Sequence, residues 1–242
     1  MLAQTTTVAT IEPAIDTRLR PLDAVRAVRR LFQTGDTREV FAVFRALRGK
    51  SALRAFRRFA ASPTGRQVLS ERRCLLDRLS DHTALRALPP GSVGRTYLAF
   101  MEEEQLSAKG LVDASNWDQD PVPADLGLYR ERMRDAHDLT HVLTGYGRDP
   151  LGELCLLAFM YAHTRNLGMA LIVVMSMPQL PRTARRAVFQ AWRNGRKARW
   201  LQDQDFEALL PRPLEDEQDG GCKVLQQRTR RGQKHPHGAM AR

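Results

Sequence analysis

Between about residue 22 and residue 214 the apolar residues recur at intervals of three and four, and no other feature constrains the fold of this chain as tightly. In "AVFRALRGKSALRAFRRFAAS" the positions Val43, Phe44, Leu47, Leu53, Phe56 and Phe59 line one face, with arginines on the other. Runs that alternate with the period of a strand are nearly absent. The pattern predicts an all-α protein: one compact multi-helix domain over residues 22–214, flanked by a flexible N-terminal arm (1–21) and a basic, Gly/Pro-broken tail (215–242).

Punctuation divides the helical region. Ser62-Pro63-Thr64-Gly65 is a stop and restart, with Ser62 or Thr64 as cap and Pro63 at the first helical position, and a helix then runs through "GRQVLSERRCLLDRLS". Pro89-Pro90-Gly91 precedes an amphipathic segment with Val93, Tyr97, Phe100 and Met101. Residues 111–124, with Trp117 as a packing anchor, read as an irregular connection before a helix over Leu126 to Thr144. Further on, helices are expected around Ala184 to Arg193 and Arg196 to Gln204, separated near Asn194-Gly195.

Composition narrows the function classes. Cys74, Cys155 and Cys222 are odd in number and lack CxxC spacing, which argues against a disulfide framework or a cysteine zinc site and suits a reducing compartment. The N-terminus does not read as a secretory signal or a transit peptide. The most apolar stretch, Leu154 to Met177, is interrupted by "HTRN", leaving runs too short to span a bilayer at about 20 residues per helix. That stretch suits a protein core or an apolar groove. The formal charge of +11 comes largely from arginines clustered at 45–73, 182–199 and in the tail. Such stripes suit an anionic membrane surface or nucleic acid, but interleaved aromatics and nucleic-acid-binding signatures are missing, so no nucleic acid is expected. His235 and His237, separated by Pro236 in the tail, make a poor metal pair.

Chemistry concentrates in "AHDLTHVLTGYGRDPLGEL". In a helix His137, Asp138 and His141 project within one quadrant, since each residue advances about 100°. Gly145 and Gly147 suit a left-handed helix end, Asp149 an N-cap and Pro150 the first position of a second helix, so that Glu153 falls in its first turn. A short loop would turn His141 and Glu153 toward each other, and two imidazoles with two carboxylates form a donor set for a divalent transition ion. The same residues also suit a plain helical hairpin, with Asp138 paired to Arg134 and Glu153 favoured at a helix N-terminus.

The pattern H-D-x-x-H-x(11)-E in "HDLTHVLTGYGRDPLGE" resembles the coenzyme Q biosynthesis protein 4 family. The similarity extends to "SPTGRQVLSERR", "LRALPPGSVGRTYLAFM", "YRERMRDAHD" and "AWRNGRKARWLQDQDFEALLPRPL". The resemblance implies a peripheral membrane protein of ubiquinone synthesis, on the cytoplasmic face of the inner membrane if bacterial or the mitochondrial inner membrane if eukaryotic. It implies a divalent ion, commonly zinc, on His137, Asp138, His141 and Glu153; the same donors accept iron or manganese. It further implies a groove for a polyprenyl lipid substrate, a homodimer, and other ubiquinone-biosynthesis proteins as partners. The activity it implies is a lyase-type oxidative decarboxylation that replaces a ring C1 carboxyl with hydroxyl, catalysed through that ion. A non-catalytic prenyl-lipid-binding scaffold with a structural metal is the alternative. Arg132 and Arg134 are candidates for binding a substrate carboxylate.

Overall fold

A computed structural model describes residues 17–107 and 122–217. Most of the expected N-terminal arm and tail, Trp117 with most of its connection, and His235 and His237 lie outside the described residues.

Among the described residues the regular structure is helical, apart from an isolated antiparallel bridge between Ser92 and Pro213. In chain order the helices are α1 (Pro21–Thr34), α2 (Thr37–Ala46), α3 (Ser51–Ala61), α4 (Pro63–Glu71), α5 (Leu75–Ser80), α6 (His82–Ala87), α7 (Val93–Glu103), α8 (Ala124–Asp135), α9 (His137–Thr144), α10 (Pro150–Thr164), α11 (Leu167–Ser176), α12 (Arg182–Lys197), α13 (Phe206–Leu209) and α14 (Leu214–Glu217). None is long and apolar enough to cross a membrane.

Capping chemistry explains many of the boundaries. Ser62 Oγ accepts from the Gly65 N–H at 2.9 Å with Pro63 in the first position of α4, and Ser92 caps α7 in the same way. The "HTRN" break ends α10 with Arg165 in the left-handed region (φ 55°), after which Asn166 accepts from Gly168 N–H at 2.8 Å and starts α11.

Three boundaries differ from the sequence expectation. The helix expected through residues 65–80 is two, because Arg72 adopts φ 53° and closes α4. The helix expected over Leu126 to Thr144 breaks at Ala136 into α8 and α9. Conversely, α12 runs unbroken through Asn194-Gly195, and a single 3-10 turn (Leu201–Asp203) stands where a helix was expected to continue. Gly195 does not break the helix because it packs against α10: a Cβ there would lie 2.4 Å from the Phe159 carbonyl oxygen and 3.1 Å from Ala162 Cβ. The missing side chain lets the two backbones approach.

Three apolar clusters form the core. One joins α5, α6, α7, α9 and α13 through Leu79, Tyr97, Leu139, Leu143 and Phe206. A second joins α1, α2, α10, α11 and α12 through Val28, Val43, Phe159, Ile172 and Val188. The third packs α3, α4 and α8 around Phe56, Phe59, Tyr129 and Trp200. From α9 onward the chain leaves the first cluster at Leu143 and enters the second at Tyr146. The candidate site sits at that seam.

Candidate metal centre

From Asp138 through Thr144 every residue of α9 is buried, so the helix is held on all sides and its polar groups need partners. Thr140 and Thr144 hydroxyls donate back to the carbonyls of Ala136 and Thr140 at 2.7 Å each. The helix ends at Gly145, whose φ of 71° is open to glycine at little cost and whose N–H closes on the His141 carbonyl at 2.8 Å. Asp149 Oδ1 then accepts from Leu151 and Gly152 N–H at 3.1 Å, and Pro150 opens α10. These turns place Glu153 opposite the end of α9.

His137, Asp138 and His141 offer ligand atoms that all lie within 4.8 Å of one another. The two imidazole rings meet edge to face at 4.9 Å, and His141 Nε2 lies 3.4 Å from Glu153 Oε1. His141 is fixed from behind: Nδ1 is 2.9 Å from the Tyr146 carbonyl oxygen, which assigns it the N–H that donates, and Phe100 stacks on the ring at 6.0 Å. That tautomer leaves a lone pair on Nε2, a buried atom without a hydrogen-bond partner. An orphaned imidazole nitrogen among carboxylates is what a metal ligand requires.

The electrostatics agree with ligation. Burial, reinforced by the neighbouring His141 and by Arg148, lowers the His137 pKa against the pull of Asp138 and Glu153, so the ring is neutral near pH 7. Burial pushes the Glu153 carboxyl upward, but contact with His141 and the proximity of His137 and Arg148 outweigh it and hold the pKa below its ordinary value. A deprotonated His137 and an ionised Glu153 are the states in which these two side chains bind a cation. The residues present therefore fit a divalent ion.

The two arginines singled out by sequence sit elsewhere. Arg132 has a fully buried side chain and makes a two-pronged ion pair with Glu207, at 2.7 and 2.5 Å. Arg134 donates from Nε to Asp135 Oδ1 at 2.9 Å and lines a separate cavity of about 390 Å3. That cavity has Phe41, Phe44, Ala55 and Met133 among its walls, and Met169 is the apolar side chain it takes from the stretch after Glu153. His163 lies apart from the cluster, stacked on Phe159 at 4.9 Å with its Nδ1 accepting from Leu201 N–H at 3.4 Å. The arginine beside the candidate ligands is Arg148, overlooked in the sequence as part of the turn, whose Nε is 3.6 Å from Glu153 Oε1. A cation in the loop between the two helices that carry those candidates was the signal for it.

Among known proteins, the chain is 30% identical over 160 residues to the mitochondrial ubiquinone biosynthesis protein coq4 of Botryotinia fuckeliana, covering 64% of this chain and 56% of that one. Against the mitochondrial ubiquinone biosynthesis protein COQ4 of Podospora anserina identity is 28% over 158 residues, covering 64% and 51%. A Culex quinquefasciatus mitochondrial COQ4 homolog 2 is 36% identical over 109 residues, 45% of this chain and 47% of that one. The chain thus spans about half the length of the curated relatives it matches. A solved chain from Nostoc punctiforme, described as a candidate ubiquinone biosynthesis protein, shares the fold with a TM-score of 0.60 at 20% identity, over 85% of this chain and 99% of that one. Residues 20–220 match the model of the Coenzyme Q (ubiquinone) biosynthesis protein Coq4 family, and the chain belongs to that family.

Proposed function

We propose that the protein acts in ubiquinone synthesis on a carboxylated polyprenyl phenol, replacing the ring C1 carboxyl with hydroxyl at the His137, Asp138, His141 and Glu153 centre. The observation that carries this is His141 Nε2, buried, unpartnered and 3.4 Å from Glu153 Oε1, in a ring whose other nitrogen the Tyr146 carbonyl holds. Those four residues would hold a divalent ion, with zinc the first choice and iron or manganese suited to the same donors. When bound there, such an ion supplies Lewis acidity to a carboxylate or phenol oxygen.

The overall change takes up one water and releases carbon dioxide, two protons and two electrons, so an oxidant such as dioxygen must accept the electrons. The protein's own part is to bind, orient and shield. Buried α9 fixes the ligand side chains, while Phe100 and Tyr146 keep the His141 ring in one orientation. The apolar cavity beside Met133 and Arg134 is suited to part of a prenyl tail. Exposed Leu22 and Val25 on α1 and Val174 and Met175 on α11 support attachment to a membrane surface.

Elemental analysis of the purified protein, paired with conversion of a carboxylated polyprenyl phenol, tests the proposal. One divalent ion per chain is expected in the wild type, and loss of both ion and C1-hydroxylated product in His137→Ala and Glu153→Ala. Variants that keep full turnover and only melt earlier would show the centre to be structural.

A further inference from the structure

Exposed apolar side chains gather on two helices, α1 and α11. Leu22, Val25, Arg29 and Phe32 follow one another along α1 at three or four residues, and Leu167, Leu171, Val174 and Met175 keep the same spacing on α11, so each set forms one stripe. Six of the eight large apolar residues exposed among the described residues belong to these stripes, with Leu22 at 72% and Val174 at 64% the most open. Surface gathered in this way marks an interaction site, whereas scattered apolar residues would not. The stripes meet at a groove of about 310 Å3, walled by Val25, Phe32, Leu171 and Met175 and by Arg29.

Charge identifies the partner. On α1, Arg26 pairs with Asp23 at 3.2 Å and Arg30 with Glu39 at 2.7 Å, but Arg29 has no recorded ion pair or hydrogen bond among the described residues. Its stem lies on an apolar wall and the residue is exposed, which is how an arginine sits at a lipid interface. Exposed Arg182, Arg185 and Arg186 open α12, and Arg185 ties that turn to the end of α11 by donating to the Leu180 and Pro178 carbonyls at 2.9 and 3.0 Å. Asp23 is the one carboxylate in α1, α11 and α12, and Arg26 already holds it. A second copy of the chain would bring arginine against arginine, with no acid on these helices for Arg29. An anionic bilayer supplies both hydrocarbon for the stripes and phosphate for the cations.

We propose that the α1–α11 face docks on an anionic lipid bilayer, the two apolar stripes entering its acyl region and Arg29 meeting a lipid phosphate. This rests on the membrane attachment proposed above and gives it a surface and a lipid charge.

The test floats the purified full chain with vesicles of phosphatidylcholine alone, or of phosphatidylcholine with one-third phosphatidylglycerol. Wild type should bind the anionic vesicles far more tightly than the neutral ones. Val174→Ser/Met175→Ser should weaken that binding about 10-fold or more, since both side chains lose buried hydrocarbon. Arg29→Gln should weaken it about 5-fold, the worth of one basic side chain at an anionic surface, with no change on neutral vesicles. Arg78→Gln, exposed on α5 beside the first core cluster, should change it less than about 2-fold. Equal losses in Arg78→Gln and Arg29→Gln would reduce the binding to net charge and overturn the proposal. So would a wild-type dimer that Val174→Ser/Met175→Ser turns into a monomer on size exclusion, because a second copy would then cover the face. Full binding by both stripe variants refutes this face and spares membrane attachment, whereas a wild type that binds neither vesicle refutes both.

Discussion

Removing Glu207 should destabilise the fold far more than its position in the short helix α13 suggests. Its carboxylate takes both prongs of Arg132, 75 residues earlier in α8, at 2.7 and 2.5 Å, and the guanidinium lies 5.4 Å from the Phe206 ring centroid. The Arg132 side chain is 0% exposed and that of Glu207 11%. Glu207→Ala therefore leaves a fully buried cation without its counter-charge, which costs about 3–5 kcal/mol. Arg132→Met leaves a carboxylate that reaches solvent and feels Arg73, and should cost about 2 kcal/mol. The double variant Arg132→Met/Glu207→Leu removes both charges and should fall within about 1 kcal/mol of the wild type.

Urea unfolding followed by circular dichroism measures all three. A cost below about 1 kcal/mol for Glu207→Ala, or a larger cost for Arg132→Met than for Glu207→Ala, would refute the assignment of Arg132 to a buried structural pair. The double variant also tests function. If it folds but no longer converts a carboxylated polyprenyl phenol, Arg132 regains the substrate role that the Glu207 contact denies it.

Two other outcomes follow from the packing around α10. Burial, with Arg58 nearby, pushes the His163 pKa down from 6.5 to about 4 despite the backbone contact with Gly195. The unfolded chain thus binds the proton more readily, and the stability of the neutral ring, full above about pH 6.5, is lost as pH falls toward 4, in total about 3 kcal/mol; His163→Gln should flatten that part of the pH–stability profile, and an identical slope in the variant refutes it. Gly195→Ala gains about 1 kcal/mol of helix propensity but drives a Cβ to 2.4 Å from the Phe159 carbonyl oxygen, so thermal melts should show a net loss of about 1–3 kcal/mol, and a stabilised variant would mean that α10 and α12 can separate freely.

The all-helical class was legible because the apolar period is set locally, and the caps at Ser62 and Asp149 because a side chain bonds to an N–H two or three residues on. His137, Asp138 and His141 were legible for the same reason: one helical turn brings them together. Gly195 was misread because its partner, Phe159, lies on another helix, and a glycine that permits close approach looks in sequence like one that breaks a helix. Arg72 at φ 53° carries no sequence mark at all. Arg132 looked available because Glu207 is 75 residues away, and no local pattern announces so distant a counter-charge.

The loop from Gly145 to Gly152 shows why the site was easier to find than its working parts. Gly145 ends α9, Tyr146 anchors His141 through its carbonyl while its ring joins the second core cluster, and Asp149 starts α10. A Cβ on Gly152 would meet the Gly147 carbonyl oxygen at 2.1 Å, so the loop closes against the first turn of α10, one residue before Glu153. Gly145, Tyr146, Asp149 and Gly152 thus each have a reason in turn chemistry or packing. Arg148 serves neither, since it caps nothing and its side chain stays partly exposed. What it does reach is Glu153, 3.6 Å away at Oε1, so the loop's cation stands beside the carboxylate in the first turn of α10.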